Sequence, residues 1–206
     1  SFLYAVDIVN QAPTSSFSCL LSNGYSAVFI RAYQPDRSGC PDYNAVQNIN
    51  MAFSAGLGTE VYMAPHHTSS KAAATKVTSP VNWSSGQSTN TNFISSAIQR
   101  IRQRGYRPGV YTHSYDWQQI TNGTTNIGSG VMLWYWNVYG GGSRGESPAD
   151  FTDFRPFGPW NGAAAKLFGQ RKSICGLLVN RDVYPASSVI ANDKNEKTLV
   201  VGQIGI

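Results

Sequence analysis

The chain has 206 residues, of which 41% are hydrophobic and only 13% are charged. Its mean hydropathy of −0.25 is typical of a globular protein, and no apolar run approaches the ~20 residues that cross a bilayer. This composition excludes a membrane-spanning chain and a wholly disordered one. The net charge of +5 suits a nucleic acid, an anionic membrane or an acidic polymer such as a bacterial wall, and charge alone does not choose among them.

Seven short apolar runs predict strands along the whole chain. They occupy residues 4–9, 27–33, 60–64, 109–112, 131–138, 164–168 and 177–184. The first of them ends close to an aspartate, Asp7, which is an unusual residue to bury without a partner. The sequence therefore indicates a chain with many strands and at least one polar group at a strand end.

Helical patterns separate several of these strands. Thr14 is suited to cap a short helix that Asn23-Gly24 would stop before the second strand. Two longer patterns place apolar side chains at helical spacing before Gly56 and before Gly105. The apolar positions are Phe17, Leu20 and Leu21 in the first helix, Val46, Ile49 and Phe53 in the second, and Phe93, Ala97, Ile98 and Ile101 in the third.

Strands that alternate with amphipathic helices indicate a parallel sheet, and seven or eight strands in a domain of ~200 residues favour a closed barrel. The last three strands follow one another with little helix between them. We therefore predict one domain over residues 1–206, of the α/β class. Its architecture is an irregular β/α (TIM-like) barrel of about eight strands, with fewer helices in the C-terminal part.

One stretch is too short for this pattern. Residues 60–81 would have to hold a strand, a crossover helix and the next strand, whereas such a unit takes ~30 residues or more. The segment Lys71 to Thr78 offers little more than one or two helical turns. Either the barrel is pinched here, or residues are missing near Lys71–Thr78.

In a β/α barrel the chemistry lies at the carboxyl ends of the strands. That rule selects a set of polar and aromatic residues by position alone: Asp7, Arg31, Tyr33, His66, Thr112, His113, Trp136, Asn180 and Asp182. Aromatic side chains such as Tyr111 and Trp136 can line a saccharide groove, or can simply be core. His66 and His67 have no cysteine or acidic partner at metal-ligand spacing, so we expect no metal and no cofactor.

Several features suggest a secreted protein. The chain begins at Ser1 with no leader-like segment, so we interpret it as a mature chain from which a signal peptide has been removed. Asn82 and Asn122 each begin a triplet that fits N-glycosylation. Three cysteines allow at most one internal disulfide, and we expect it to join Cys19 to Cys175. We therefore expect an extracellular location, or a lysosome or gut lumen.

Long segments of the sequence resemble the glycoside hydrolase family 25 lysozymes, in their nematode-type secreted branch. The matching segments are YAVDIVNQ, GYSAVFIRAY, NMAFSAGLGTEVYMAP, YRPGVYTHSYDWQQITNG, LWYWNVYG, ADFTDFRPFG and SICGLLVNRDVYP. This resemblance covers nearly the whole chain. It implies a β/α barrel, secretion, and a peptidoglycan substrate cleaved after N-acetylmuramic acid.

The sequence departs from the family pattern in two places. Family members carry an Asp-x-Glu pair at the end of the fourth strand, but here no acidic residue lies between Glu60 and Asp116. On the last strand the family has Asp-x-Asn, whereas this chain reads Asn180-Arg181-Asp182. Because residues two apart on a strand share a face, Asn180 and Asp182 can both point into the barrel. Since first and last strands are neighbours in a barrel, Asp182 can then approach Asp7.

Two functional hypotheses follow. In the first, the chain is a secreted lysozyme-like enzyme of defence or digestion, with Asp7 as the stabilising carboxylate and Asp182 or a bound water supplying the acid and base steps. Substrate contacts are expected from Arg31, Tyr62, Tyr111, His113, Trp136 and Asn180. In the second, it is a catalytically inactive protein that binds glycan or serves a structural role, a pseudoenzyme on a lysozyme barrel.

The expected partner is the glycan of the bacterial cell wall, bound by a monomer. Arg100, Arg102, Arg104 and Arg107 cluster near one helix, and we interpret them as a solvated face rather than a site for anionic polymer. The chain contains no recognised nucleic-acid module, so we expect no nucleic-acid partner. The glycine-rich segment at residues 139–145 lacks the lysine of a Walker phosphate loop and the glycine spacing of a dinucleotide fingerprint. We therefore interpret it as a flexible loop.

Overall fold

The computed structural model describes residues 1–34, 40–63, 83–188 and 201–205, the last five by their backbone. The strands are β1 (Phe2–Ile8), β2 (Tyr25–Gln34), β3 (Cys40–Pro41), β4 (Gly58–Met63), β5 (Gly109–Thr112), β6 (Met132–Trp136), β7 (Ala165–Ile174), β8 (Leu177–Pro185) and β9 (Val201–Gly205). The helices are α1 (Thr14–Ser22), α2 (Asn44–Ser54), α3 (Gln87–Gln103) and α4 (Ser114–Thr121). His66, His67, Asn82 and the segment Lys71–Thr78 lie outside the described residues.

Strand pairing forms an eight-membered ring. Its order is β1-β8-β7-β6-β5-β9-β4-β2, and β2 pairs with β1 to complete the circle. The short β3 pairs in antiparallel fashion with the C-terminal end of β2, at Tyr33 and Gln34. The predicted irregular β/α barrel is therefore confirmed, with four helices among the described residues. None of those helices is long and apolar enough to cross a membrane.

The sheet is mixed, which corrects the expectation of a parallel one. Seven strands of the ring run parallel to one another, but β8 is antiparallel to both β7 and β1. The turn from β7 to β8 is only Cys175-Gly176, so β8 has to return as the second arm of a hairpin. As a consequence, the N-terminal half of β8 lies at the end of the barrel where the other strands finish.

A strand that the sequence analysis did not predict completes the barrel. β9 pairs in parallel with β4 on one side and with β5 on the other. It therefore occupies the place where a strand from the cramped stretch after Glu60 was expected. Without β9, the edges of β4 and β5 would face each other unpaired.

The helices cover the outside of the ring. α1 and α2 pack on β2 and β4 around Phe17, Leu20 and Val28, whereas α3 and α4 pack on β5 and β6 around Ile94, Ile98 and Trp117. As predicted, Ala97 and Ile98 are buried in α3. The first residue of α1 is Thr14, and its N-cap is Pro13 without a side-chain cap, so the predicted capping role of Thr14 is wrong.

α2 turns a different face inward than the sequence predicted. Val46 and Phe53 are 68% and 76% exposed, while Ala45, Asn48 and Ala52 are buried. Both sets of residues recur at helical spacing, one position apart. The Asn48 amide decides between them, because it accepts from the Ala12 backbone N–H and donates to the Asn10 carbonyl. Those two bonds fix the small side chains of α2 against the barrel.

A disulfide joins Cys19 in α1 to Cys175 in the β7–β8 turn, 156 residues apart in the chain. Replacing both cysteines by Ser is expected to lower the free energy of unfolding by about 2–4 kcal/mol, because the unfolded chain loses this constraint. Urea unfolding with and without reducing agent measures the effect. The reductant should bring the wild-type protein to the level of the variant and leave the variant unchanged. Equal stability of the two oxidised proteins would contradict this account.

Candidate active site

Alternation along two neighbouring strands places a group of polar side chains inside the barrel. On β1 the inward positions are Leu3, Ala5 and Asp7, of which Asp7 is polar, and on β8 the polar inward residues are Asn180 and Asp182. Asp7 lies directly opposite Asn180, whereas Asp182 lies opposite Ala5. Asp7 and Asn180 are thus nearest the mouth of the barrel, and Asp182 is one pleat deeper. These three side chains lie close together because β1 and β8 are neighbours in the barrel, as expected for the first strand and the last predicted strand.

The Asp7 carboxyl group is almost enclosed, with only 6% of the residue exposed. The Asn180 amide donates to Asp7 Oδ1 over 3.1 Å. Burial raises the pKa of Asp7 to about 7, although hydrogen bonds from the side chains of Asn180 and Tyr62 act in the opposite direction. A carboxyl group with this pKa can exchange a proton near neutral pH.

Asp182 is fully buried and its carboxyl group has one neutral donor. The Trp134 indole N–H donates to Asp182 Oδ1 over 2.8 Å, and Oδ2 has no hydrogen-bond partner among the described residues. Burial and the nearby charge of Asp7 raise its pKa well above the ordinary value. A carboxyl group in this setting keeps its proton at pH values where an exposed aspartate is ionised.

Aromatic rings form the wall around these carboxyl groups. Trp134 contacts Phe29, Tyr62 and Tyr111, with ring centroids 5.0, 5.7 and 4.6 Å apart. They leave few polar groups near Asp7, which is why burial dominates its pKa. Burial and the charges of Asp7 and Asp182 also raise the pKa values of the Tyr62 and Tyr111 hydroxyl groups. Tyr62 and Tyr111, which are predicted from sequence to contact substrate, are both neighbours of Asp7.

A second group of side chains lies at the rim, where β5 and β6 end. The rings of His113 and Trp136 pack with centroids 4.7 Å apart, and both residues are partly exposed. His113 caps α4 by accepting from the Tyr115 backbone N–H. Asp116, in the first turn of α4, lies beside both rings. Burial raises the pKa of Asp116, while the charge of His113 and a hydrogen bond from Trp136 oppose that shift.

Other residues selected by position lie elsewhere. Arg31 forms an ion pair of 2.7 Å with Asp42 next to the barrel mouth, so part of its guanidinium is already engaged. Tyr33 and Thr112 are buried. Asn122 is exposed at the C-cap of α4 with a left-handed backbone, and its use for glycosylation stays a prediction.

Two residues of the site were not proposed from sequence. Asp116 belongs to a helix rather than a strand end, so the position rule does not select it, although it lies three residues after His113. Trp134 lies inside the predicted strand 131–138, and no pattern in the sequence shows that its N–H reaches Asp182. Within the described residues, no group of three His, Cys, Asp or Glu side chains could hold a metal ion.

Comparison with known sequences identifies the family. The family model described as Lysozyme-like protein 1 matches residues 1–77 and 74–168. Lysozyme-like protein 7 of Caenorhabditis elegans is 43% identical over 223 residues, covering 98% of this chain and 79% of that protein. Probable GH family 25 lysozyme 2 of Dictyostelium discoideum is 31% identical over 206 residues, covering 90% and 92% of the two chains.

At least one relative carries residues that this chain lacks. The alignment with Lysozyme-like protein 1 of C. elegans, 42% identical, runs over 241 residues and covers 100% of this chain and 81% of that protein. Since this chain has 206 residues, the relative carries residues that have no counterpart here. The two segments of the family match overlap at residues 74–77, inside the short stretch after Glu60.

Solved structures share the fold. The bacterial lysozyme from Streptomyces coelicolor superposes with a TM-score of 0.70 at 14% identity, covering 94% of this chain and 99% of that one. The family GH25 lysozyme from Aspergillus fumigatus gives 0.68 at 14% identity, with coverage of 90% and 94%. At these identities the likeness concerns the fold alone. The sequence matches and the barrel together show that this chain belongs to the lysozyme-like proteins of glycoside hydrolase family 25.

Proposed function

We propose that the protein cleaves the glycan of bacterial peptidoglycan as a muramidase, with Asp7 protonating the oxygen of the leaving sugar. The observation that carries this proposal is the buried Asp7 carboxyl at the barrel mouth, whose pKa is raised to about 7. Below that pH the group holds a proton and can act as a general acid. The role differs from the stabilising carboxylate expected from sequence, because burial favours the neutral form.

Asp182 lies deeper in the barrel than Asp7 and affects the proton affinity of Asp7. It is fully buried one pleat deeper than Asp7, so a glycan at the mouth reaches Asp7 first. A protonated Asp182 leaves Asp7 without a neighbouring negative charge, which helps Asp7 to release its proton during bond cleavage. We therefore assign Asp182 a positioning role through Asp7 and Trp134. Tyr62, Tyr111, His113, Trp136, Asn180 and Arg31 are proposed as the residues that line the glycan site.

The test compares wild-type protein with Asp7→Asn on purified peptidoglycan, across pH 3 to 8. Release of reducing ends is expected to fall ~10²- to 10⁴-fold in the variant, the usual effect of losing a positioned acid. An aryl glycoside whose leaving group needs no proton should be cleaved by both proteins. Asp150→Asn, which removes an exposed carboxylate far from the barrel interior, serves as the matched control. Equal release by wild type and Asp7→Asn overturns the assignment.

A second function is favoured by one specific observation. The chain has no acidic residue between Glu60 and Asp116, where the family pattern places its Asp-x-Glu pair. A catalytically inactive protein would keep the glycan site and bind insoluble peptidoglycan saturably without releasing reducing ends. Co-sedimentation with peptidoglycan, run beside the reducing-end assay, separates this binding function from hydrolysis.

We further propose that the protein works outside the cell, in defence or digestion. The disulfide between Cys19 and Cys175 supports this location, because disulfides persist in oxidising compartments. The sparse charge of the chain, 13% of its residues, is consistent with it. Intact mass of the protein isolated from its natural source tests both the disulfide and the proposed glycans on Asn82 and Asn122.

A further inference from the structure

We infer that Asn180 is a positioning residue for Asp7, and that a bulge in β7 fixes the direction in which the Asn180 amide donates. The part of Asn180 in catalysis rests on the proposed hydrolysis at Asp7, whose acid it holds. The groups that act on Asp7 follow one another outward from the barrel mouth: the Asn180 amide, the backbone of β7, and the loop at residues 139–147.

The side-chain amide of Asn180 is held between two groups that leave it one orientation. Its Nδ2 donates to Asp7 Oδ1 over 3.1 Å, and its Oδ1 accepts from the Arg171 backbone N–H over 3.1 Å. Because a backbone N–H can only donate, the atom that faces Arg171 has to be the amide oxygen. The amide nitrogen is therefore turned to Asp7. A reversed amide would place two donors against each other at Arg171.

A bulge in β7 supplies the Arg171 N–H. Two residues of β7, Gln170 and Arg171, face a single residue of β8, Asn180, where the register of the two strands shifts. Arg171 has a φ of 54°, a left-handed backbone that is uncommon for residues other than glycine. Strained positions persist only where their surroundings hold them, and they cluster at functional sites. Here the left-handed residue gives its N–H to a side chain rather than to the strand ladder.

The loop at residues 139–147 pairs with β7 at the bulge. β6 pairs with β7 only as far as Leu167, and beyond that point Gly141 forms a parallel bridge with Gln170. The Gly142 backbone N–H donates to the Gln170 carbonyl over 2.7 Å, and the Ser147 backbone N–H donates to the carbonyl of residue 168 over 2.9 Å. The backbone of the bulge is thus held by the loop on one side, while Asn180 accepts from it on the other.

A close approach of two glycines keeps this loop folded. The Tyr139 backbone N–H donates to the Gly145 carbonyl over 2.7 Å, and the Gly145 N–H donates to the Gly142 carbonyl over 3.1 Å. A side chain on Gly145 would overlap the Gly140 carbonyl, and its Cβ would lie 2.6 Å from Gly140 Cα. A Cβ on Gly140 would have its nearest contact at 3.9 Å. The loop therefore requires glycine at position 145 and accepts alanine at position 140.

The hydrogen bond from Asn180 changes which form of Asp7 is favoured. A donor that faces a carboxyl oxygen stabilises the ionised form, and here it opposes the burial that raises the pKa of Asp7 to about 7. Without this bond Asp7 would hold its proton more tightly and would be a weaker acid toward a glycosidic oxygen. Asn180 thereby keeps Asp7 able to give up its proton near neutral pH.

Asn180→Leu removes the donor with little change in side-chain size. The titration midpoint of Asp7 is expected to rise by about one pH unit, a tenfold gain in proton affinity, because a hydrogen bond to a charged group is lost. NMR of protein carrying ¹³C-labelled aspartate measures the midpoint, and the signal that Asp7→Asn lacks identifies Asp7. The alkaline limb of reducing-end release against pH should move by the same amount. An Asp7 midpoint that stays or falls overturns the role of Asn180.

Gly145→Ala and Gly140→Ala form a matched pair that tests the loop. Gly145→Ala is expected to raise the Asp7 midpoint by less than Asn180→Leu does, and Gly140→Ala should leave it at the wild-type value. In the Asn180→Leu background, Gly145→Ala should cause no further change, because the amide through which the loop acts is gone. Equal midpoints in Gly145→Ala and wild type would overturn the part played by the loop, and so would a further rise in the double variant.

The titration and the activity assay can fail independently. If wild type releases no reducing ends, the proposed hydrolysis is overturned, and the Asp7 midpoints alone decide whether Asn180 positions this carboxyl group. If wild type cleaves and Asn180→Leu keeps the wild-type midpoint, only the role of Asn180 is overturned. A lower rate with an unmoved alkaline limb is a merely structural effect and also counts against it. A raised midpoint together with a shifted limb, in a variant that is folded at the assay temperature, supports it.

Discussion

Replacing Asp7 by Asn is expected to make the protein more stable at pH 7, although the same change removes activity. Folding buries the Asp7 carboxyl and raises its pKa from 3.8 to about 7. A shift of this size corresponds to roughly 4 kcal/mol of differential stability between the protonated and ionised forms. Asparagine keeps the oxygen that accepts from Asn180 but carries no charge to bury.

The sign of the pH dependence follows from the direction of the shift. Between pH 4 and pH 7 the folded protein holds a proton on Asp7 that the unfolded chain has released. Stability contributed by Asp7 therefore decreases as pH rises through this range and becomes constant above pH 7. Asp182, whose pKa is also raised by burial and by Asp7, contributes a decrease of the same sign. Carboxyl groups with lowered pKa values, such as Asp150 and Asp153, contribute in the opposite direction.

Urea unfolding of wild type and Asp7→Asn at several pH values isolates this contribution. The two proteins should have similar stability at pH 4, and the variant should gain progressively up to pH 7. Asp182→Asn should behave in the same way, because Trp134 can still donate to its remaining oxygen. Asp150→Asn is the control, and it must not show this gain. If Asp7→Asn were less stable than wild type at pH 7, the carboxyl group would have to be ionised and well solvated in the folded protein.

The opposed effects on stability and activity have one physical origin. The aromatic wall that excludes water from Asp7 makes its ionised form unfavourable, and the same exclusion gives the group a pKa suited to proton transfer. Active sites commonly reduce stability in this manner. A protein that had lost hydrolysis and kept only glycan binding would gain stability by replacing Asp7. Its presence in this chain is therefore in keeping with a catalytic role.

Most of the barrel could be predicted from local sequence patterns. The seven predicted strands correspond to β1, β2, β4, β5, β6, β7 and β8, because buried strands leave apolar runs that stand out against polar loops. β9 could not be predicted in this way. Its sequence, Val-Gly-Gln-Ile-Gly, is short and contains two glycines, and its pairing with β4 and β5 depends on a vacant place in the barrel.

The site was predictable in part, for a similar reason. The alternation of residues on β1 and β8 was enough to place Asp7, Asn180 and Asp182 on one face. The antiparallel direction of β8 was not foreseen, and it is this direction that puts Asn180, rather than Asp182, beside Asp7. Asp116 lies near the mouth because α4 begins immediately after β5. Such a contact depends on how a helix starts over a strand end, which residue spacing does not reveal.

Lys166 is a buried charged residue whose role is structural. It lies on β7, it is 0% exposed, and all three of its ammonium hydrogens have acceptors. It donates to the Pro148 carbonyl over 2.7 Å, to the Asp150 carbonyl over 3.0 Å and to Asp153 Oδ2 over 2.8 Å. Asp153 also accepts from the Tyr135 hydroxyl and the Asn137 amide. This network attaches the long connection between β6 and β7 to the outside of the barrel.

Lys166→Met is expected to lower the free energy of unfolding by about 3–5 kcal/mol, since removing one partner leaves the Asp153 carboxylate and two carbonyl groups without their cation. Urea unfolding at pH 7 measures the loss. Asp153→Asn and the double variant complete a cycle, in which a coupling of about 0.5–3 kcal/mol is expected for residues in contact.

Lys172→Met is the matched control for this cycle. Lys172 is a partly exposed lysine that bonds Ser143 and lies 4.0 Å from Glu146, and its loss should change stability by no more than about 1 kcal/mol. If Lys166→Met and Lys172→Met had equal effects, burial would not strengthen the Lys166 network. A large effect confined to Lys166 would instead mean that the ordered path of the chain from β6 to β7, which begins next to Trp136 at the rim, depends on a single enclosed cation.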